Sequence, residues 1–266
     1  MEQIRVRGLV VRETQSGEYD KILTVITEEM GRISISGKGV RSLKSKHMPA
    51  TQLFCYSSFV LRKSHGYYYI SDSALMESFF DLRLDLNKLA LASYLCDVAA
   101  EMAVEGVGDE ELMQLTLNTL YALANRKQLS LTQIKAAFEL SAAAMSGYRP
   151  YVDGCRKCKK PYAEVMYMDV MNGRMLCEEC LHKASLAARR EAERSEDIRE
   201  ASVIHPMSPY VAAAVKYVIT APPSRFLSFQ LKEEDHASFA ALAELYLLSH
   251  VGHAFDTLDF YKALFG

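Results

Sequence analysis

At 266 residues, half of them hydrophobic and about a quarter charged, with a formal net charge of −2, the chain has the composition of a globular protein of one or two domains. That excludes a disordered or low-complexity chain, and so small a charge imbalance selects no class of partner. No apolar stretch reaches the ~18 residues of a bilayer span, the first five residues lack the apolar run of a signal peptide, and the expected protein is not a membrane one.

The first expected strand covers 4–13, with Ile4, Val6 and Val10 on one face, followed by a polar turn at 14–19. Residues 22–27 are β-branched, Met30-Gly31 turns the chain, and 32–36 alternates with a period of two. A Gly/Ser/Lys loop over 37–48 leads to a hairpin of 52–62 and 67–73 across Ser64-His65-Gly66. Five short strands at this spacing fit a small closed barrel such as an OB-fold over 1–80.

Helical periodicity then takes over, so 81–266 reads as an α-helical domain and the whole chain as an α+β multidomain protein. Helices are expected over 83–105, from Asp109 to about 126, and from a Ser130/Gln133 capping box to Gly147. A charged helix follows over 178–199, then one opened by Ser208-Pro209 and stopped before Pro222-Pro223. The last two cover 232–251 and a short terminal stretch capped by Thr257.

Six cysteines divide into lone Cys55 and Cys96, which read as buried apolar residues, and two close pairs. This is no secreted disulfide framework, and a reducing cytoplasm is the expected compartment. Cys155, Cys158, Cys177 and Cys180 have the Cys-x2-Cys spacing that points two sulfurs at one spot, twice. Two such turns complete a tetrahedron around one structural Zn2+ and leave no open position for a substrate. Asn172-Gly173, between 163–171 and 174–176, predicts a type I′ hairpin that brings the pairs together in an insert over about 150–182. The competing reading, two redox dithiols, lacks a thioredoxin-like βαβ pattern; His182 is expected on a helix surface.

Residues 30–71 contain no Asp or Glu but hold Arg32, Lys38, Arg41, Lys44, Lys46, Arg62 and Lys63. The Gly31 to Lys38 segment does not match the Walker spacing, and no nucleotide is expected. Two readings stay open: a groove that neutralises nucleic-acid phosphates, with bases stacking on Tyr56, Phe59 or one or two of Tyr67, Tyr68 and Tyr69, or a solvated loop over core aromatics.

The segments Ser16-Gly-Glu-Tyr-Asp-Lys-Ile-Leu-Thr-Val-Ile-Thr-Glu28, Gly31-Arg-Ile-Ser-Ile-Ser-Gly-Lys-Gly-Val-Arg41 and Arg149-Pro-Tyr-Val-Asp-Gly-Cys155-Arg-Lys-Cys158 resemble the signatures of the bacterial RecO family. The resemblance implies a recombination mediator that binds single- and double-stranded DNA and anneals complementary strands without ATP. It further implies docking to RecR, in some members to the C-terminal tail of single-strand-binding protein, and help in loading RecA. By motif position, the implied DNA-contacting residues are Arg32, Lys38, Arg41, Lys44 and Lys46. Asp256-Thr257 stands where the resemblance leads one to expect a basic–Ser pair.

No hydrolase or metalloprotease motif is present, and a non-enzymatic protein is expected. His250 and His253 read as helix surface or partial core, and Asp81, Asp85 and Asp97 as a solvated helix face. Arg189, Arg190 and Arg194, interleaved with Glu191 and Glu193, read as another solvated face. A protein-interaction adaptor and an RNA-binding or RNA-processing protein remain alternatives from other classes.

Overall fold

The computed structural model describes residues 3–192 and 203–264. In chain order its elements are β1 (Gln3–Gln15), β2 (Lys21–Thr27), β3 (Gly31–Gly37), β4 (Cys55–Ser64), β5 (Tyr67–Ser78), α1 (Leu86–Met102), α2 (Glu110–Asn125), α3 (Leu131–Met145), β6 (Met166–Asp169), β7 (Arg174–Cys177), α4 (Glu178–Ala192), β8 (Ile204–Met207), α5 (Pro209–Thr220), α6 (Glu233–Val251) and α7 (Asp256–Ala263). The end of the charged helix expected to 199, with Glu193 and Arg194, lies outside the described residues. The chain forms two compact units, one running up to Leu131 and resuming at Phe255, the other spanning Thr132–Ala254.

The first unit carries a closed five-stranded barrel in the order β1-β2-β3-β5-β4, the topology of an OB-fold. Period-two alternation sends Val6, Val10, Leu23, Val25, Ile33 and Ile35 inward, where they meet Phe59 and Leu61. Bulges at Val10/Arg12 in β1 and at Tyr56/Ser57 and Val60/Leu61 in β4–β5 supply the bending that closure needs. The β4–β5 turn is two residues long, with both His65 (φ 50°) and Gly66 (φ 84°) left-handed, as a type I′ hairpin requires.

Helices α1, α2 and α7 belong to this unit. The helix expected over 83–105 is in two parts: a 3-10 turn at Phe80–Leu84, then α1 behind Asp85, whose side chain accepts from the Asn87 and Lys88 N–H groups. Asp85 is thus an N-cap, and it shares no helix face with Asp81. Asp97 is not solvated either. One of its oxygens accepts from Arg12 Nη2 at 2.6 Å, the other from Thr257 Oγ1 at 2.9 Å. Thr257 therefore does not cap α7; Phe255 holds the N-cap position, and Thr257 ties α7 to α1 through Asp97.

In the second unit, β7-β6-β8 form a small antiparallel sheet. Strand β8 is absent from the sequence reading: it is four residues long and carries Pro206, tolerated because β8 pairs on one side only. The β6–β7 hairpin forms, but not with a two-residue turn. Asp169 pairs with Arg174 across a four-residue loop in which Gly173 (φ 55°) is the left-handed residue and Asn172 is not. Buried Asp169 accounts for the longer loop. Its carboxylate accepts from Asn172 Nδ2 at 3.0 Å and from Arg174 at 2.9 Å and 3.0 Å, and these bonds reward the wider geometry.

Two helix ends in this unit follow the sequence closely. Gly147 (φ 96°) ends α3, with Tyr148 N–H donating to the Ala143 carbonyl at 3.0 Å. Ser208 Oγ accepts from Val211 N–H at 3.1 Å and donates to Asp235 at 2.6 Å, coupling the start of α5 to that of α6. Lys135 on α3 bridges Glu139 at 2.7 Å and Glu244 on α6 at 2.8 Å.

Candidate nucleic-acid face and metal centre

On the barrel, alternation along β5 separates the three adjacent tyrosines. Tyr68 and Ile70 pack against the core, whereas Tyr67 is 65% exposed. Register pairs Tyr69 with Ser36 of β3 and Arg62 of β4. Its ring carries Lys38 Nζ at 5.5 Å and the Arg62 guanidinium at 5.8 Å from the centroid, and Lys63 Nζ lies 5.3 Å from that of Tyr68. A ring quadrupole that holds a cation limits its rotamers and leaves the charge available to an anion. Two other candidate aromatics have structural duties. Phe59 is fully buried in the core, and Tyr56 donates to the Glu28 carboxylate; burial and that bond push its pKa above the ordinary range.

The 38–54 connection is folded onto this face. Gly39 N–H donates to Asp20 Oδ1 at 2.7 Å, Arg41 N–H to the Tyr19 carbonyl at 3.0 Å and Arg41 Nη1 to the Glu18 carbonyl at 2.9 Å. Farther on, Lys46 Nζ meets Asp72 at 2.9 Å and holds that carboxyl below its usual range. His47 Nδ1 lies 2.8 Å from Ser73 Oγ, and burial, with Lys46 beside it, lowers its pKa. Lys38, Lys44 and Lys46 are exposed. Arg32 stands apart: its Nη1 donates at 2.8 Å to the Ala100 carbonyl in the last turn of α1, where the helix dipole favours a cation. The five basic residues singled out from sequence thus form no single cluster. Lys38 joins Tyr69, Arg41 clamps the β1–β2 loop, Lys44 and Lys46 lie along the 38–54 connection, and Arg32 anchors α1. Sequence reasoning did not single out Arg62 and Lys63 as site residues; strand register brings them beside the tyrosines.

In the second unit, Cys155, Cys158, Cys177 and Cys180 converge, all four sulfurs within 4.8 Å of one another. Cys158 and Cys177 Sγ are 3.7 Å apart, near the edge of about 3.8 Å that ~2.3 Å metal–sulfur bonds give a tetrahedron. The first pair sits in a tight knuckle. Gly154 (φ 101°) has no room for a Cβ, which would lie 2.4 Å from the Lys160 carbonyl, and Lys159 (φ 63°) is left-handed. Cys155 N–H donates to the Lys160 carbonyl and Lys159 N–H to that of Cys155, both at 2.9 Å. Cys177 ends β7, and Cys180 lies in the first turn of α4, where unpaired amides favour negative sulfur. Burial opposes ionisation of Cys155, but the amides of Cys158, Cys177 and Lys157 outweigh it and bring the thiol down to about 6. Burial and the neighbouring sulfurs push Cys180 up to about 12. Four sulfurs this close cannot all ionise without a cation between them, so the donor set fits a metal ion.

Other candidates resolve simply. His182 is exposed and outside the sulfur group. His250 Nδ1 lies 2.8 Å from the Tyr246 carbonyl, its ring against Tyr148 and Tyr246. Cys55 and Cys96 are buried, and burial pushes Cys96 up. Among the described residues, no helix is long and apolar enough to cross a membrane.

Comparison with known proteins identifies the family. Residues 1–79 match the family model "Recombination protein O N terminal" and residues 83–193 "Recombination protein O C terminal". The DNA repair protein RecO of Acetivibrio thermocellus is 30% identical over 264 residues, covering 99% of this chain and 98% of that relative. RecO of Clostridium acetobutylicum is 29% identical over 195 residues (73% of this chain, 78% of the relative). RecO of Dehalococcoides mccartyi is 33% identical over 177 residues (66% and 69%). Barrel, four-sulfur cluster and family matches together make this chain a member of the RecO family of DNA repair proteins.

Proposed function

We propose that the protein is a cytoplasmic, non-enzymatic recombination mediator that binds single- and double-stranded DNA and anneals complementary strands without ATP. The observation that carries this reading is Tyr69, with Lys38 and Arg62 held against its ring on a barrel face built from 30–71, a stretch of 42 residues of loop and strand that contains no acid. Cations there replace the counterions condensed on phosphates, and the exposed ring of Tyr67 offers a base a stacking surface. Lys38 and Lys44 supply the leading phosphate contacts; Lys46 joins them by exchanging Asp72 for a phosphate, and Arg41 and Arg32, the latter with Glu101 at 3.7 Å, add guanidinium N–H groups beyond those bonded to carbonyls. Annealing is then mass action: strands neutralised on one face collide without repulsion, and base pairing supplies the driving energy.

The four sulfurs of Cys155, Cys158, Cys177 and Cys180 would hold one Zn2+, which supplies a cross-link between the knuckle and the β7–α4 junction. Four protein ligands fill its tetrahedron, so its role is structural. RecR, the C-terminal tail of single-strand-binding protein and the loading of RecA complete the reading by family membership. Strand annealing with and without ATP, at two salt concentrations, tests it. Annealing should be ATP-independent, and single-strand affinity should fall with salt with a slope of about −0.7 per neutralised phosphate. A flat salt response sinks the mechanism, and turnover of labelled DNA or RNA ends the non-enzymatic reading.

A further inference from the structure

Leu43 is 90% exposed, the most exposed large hydrophobic side chain among the described residues. It does not hang on a loose loop. Ser42 N–H donates to the Gly39 carbonyl at 3.2 Å, Ser45 N–H to that of Ser42 at 2.9 Å and Met48 N–H to that of Ser45 at 3.2 Å, so successive tight turns run through it. Both feet of the loop are pinned beside one strand: Lys38 over Tyr69 of β5, and Lys46 on Asp72 of the same strand. Arg41, Lys44 and Lys46 flank the leucine, with no acid in the loop. An ordered apolar tip flanked in sequence by basic residues matches a polyanion with apolar faces between its charges. Apolar side chains wedge between the base steps of a duplex at the cost of unstacking them, and an unpaired strand offers the same base faces without that cost.

We propose that Leu43 is such a wedge, packing against an unpaired base of the strand held on the barrel face. The proposal rests on the DNA-binding reading of that face and deepens it: it makes unpaired, unstacked strands the preferred ligand. Leu43 adds apolar contact where the lysines add charge, and the two contributions separate experimentally. Because the leucine is exposed, its replacement should leave the thermal melt unchanged.

The chain has no tryptophan, so Leu43→Trp introduces a single indole reporter. Titration of full-length metal-loaded Leu43→Trp with oligo-dT should quench and shift the indole emission, and a duplex of matched length should do so less. Leu43→Ala should weaken oligo-dT binding about tenfold, the order expected for an exposed leucine that becomes buried, with no change in salt slope. Lys44→Ala should instead reduce the slope by about 0.7. Wild-type oligo-dT binding combined with an unaffected Leu43→Ala variant overturns the wedge alone. Absence of wild-type DNA binding overturns the barrel reading along with it. An indole that responds to anionic phosphatidylglycerol vesicles but not to oligo-dT overturns the wedge in favour of a lipid contact.

Discussion

Single positions in the first unit are constrained by contact more than by chemistry. Gly31 is left-handed (φ 61°), and a Cβ there would lie 1.9 Å from the Val104 carbonyl. Gly108 would meet the Glu28 carbonyl at 2.2 Å. The α1–α2 loop and the β2–β3 turn therefore touch backbone to backbone, and Gly106 N–H donates to the Met30 carbonyl at 2.9 Å. Gly31→Ala should destabilise by at least ~2 kcal/mol, since left-handed strain alone costs about 1–2. Gly17→Ala, left-handed but with nothing within 4 Å, should cost only the strain. Thermal unfolding of both variants checks the difference. On the proposed DNA face, Arg62→Ala should lower single-strand affinity and reduce the salt slope by about 0.7, a measurement that tests whether register, rather than motif position, identifies the contacts. What the sequence shows at residue scale divides accordingly. Asp109 as an N-cap was legible, because capping is local. Asp97 was not: its partners Arg12 and Thr257 are 85 and 160 residues away in sequence.

Among elements, α3 and α6 of the second unit share a buried ion triad. Lys135, 7% exposed, lies between Glu139, 0% exposed, and Glu244. Lys135→Ala removes the cation between two acids and should cost about 3–5 kcal/mol, read as a lower denaturant midpoint. Strand β8 should carry a pH response. His205 is half-buried, its Nε2 is 3.4 Å from Ser238 Oγ, and burial lowers its pKa from the usual 6.5. Above that value the ring is neutral in folded and unfolded chains alike. Below it the unfolded chain takes up the proton first, so stability should fall as the pH drops from about 6.5 towards 5. His205→Gln should flatten that part of the stability–pH curve. The hairpin beside it shows how far a local signal reaches. Asn172-Gly173 does mark a turn, but the bonds of Asp169 widen it, and the type I′ geometry belongs to His65-Gly66 instead.

At the scale of the whole molecule, the proposed function divides between the two units, strand binding in the first and metal binding in the second. The double variant Cys155→Ser, Cys158→Ser should lower the melting temperature and expose the second unit to protease, while single-strand affinity stays within a few-fold of wild type. Loss of DNA binding in a variant that remains folded would overturn that division of labour. By itself the sequence determined the strand count of the barrel, the helix ends at Asp109, Gly147 and Ser208, the spacing of the four sulfurs and the acid-free stretch, because each depends on neighbours within a few residues or on short spacings. Only the tertiary structure decided that α1, α2 and α7 pack in one unit with the barrel, that β8 completes a sheet, and that Tyr69 rather than Tyr68 sits between Lys38 and Arg62. Those outcomes turn on register and on contacts between distant segments, which a pattern of period two or 3.6 leaves open.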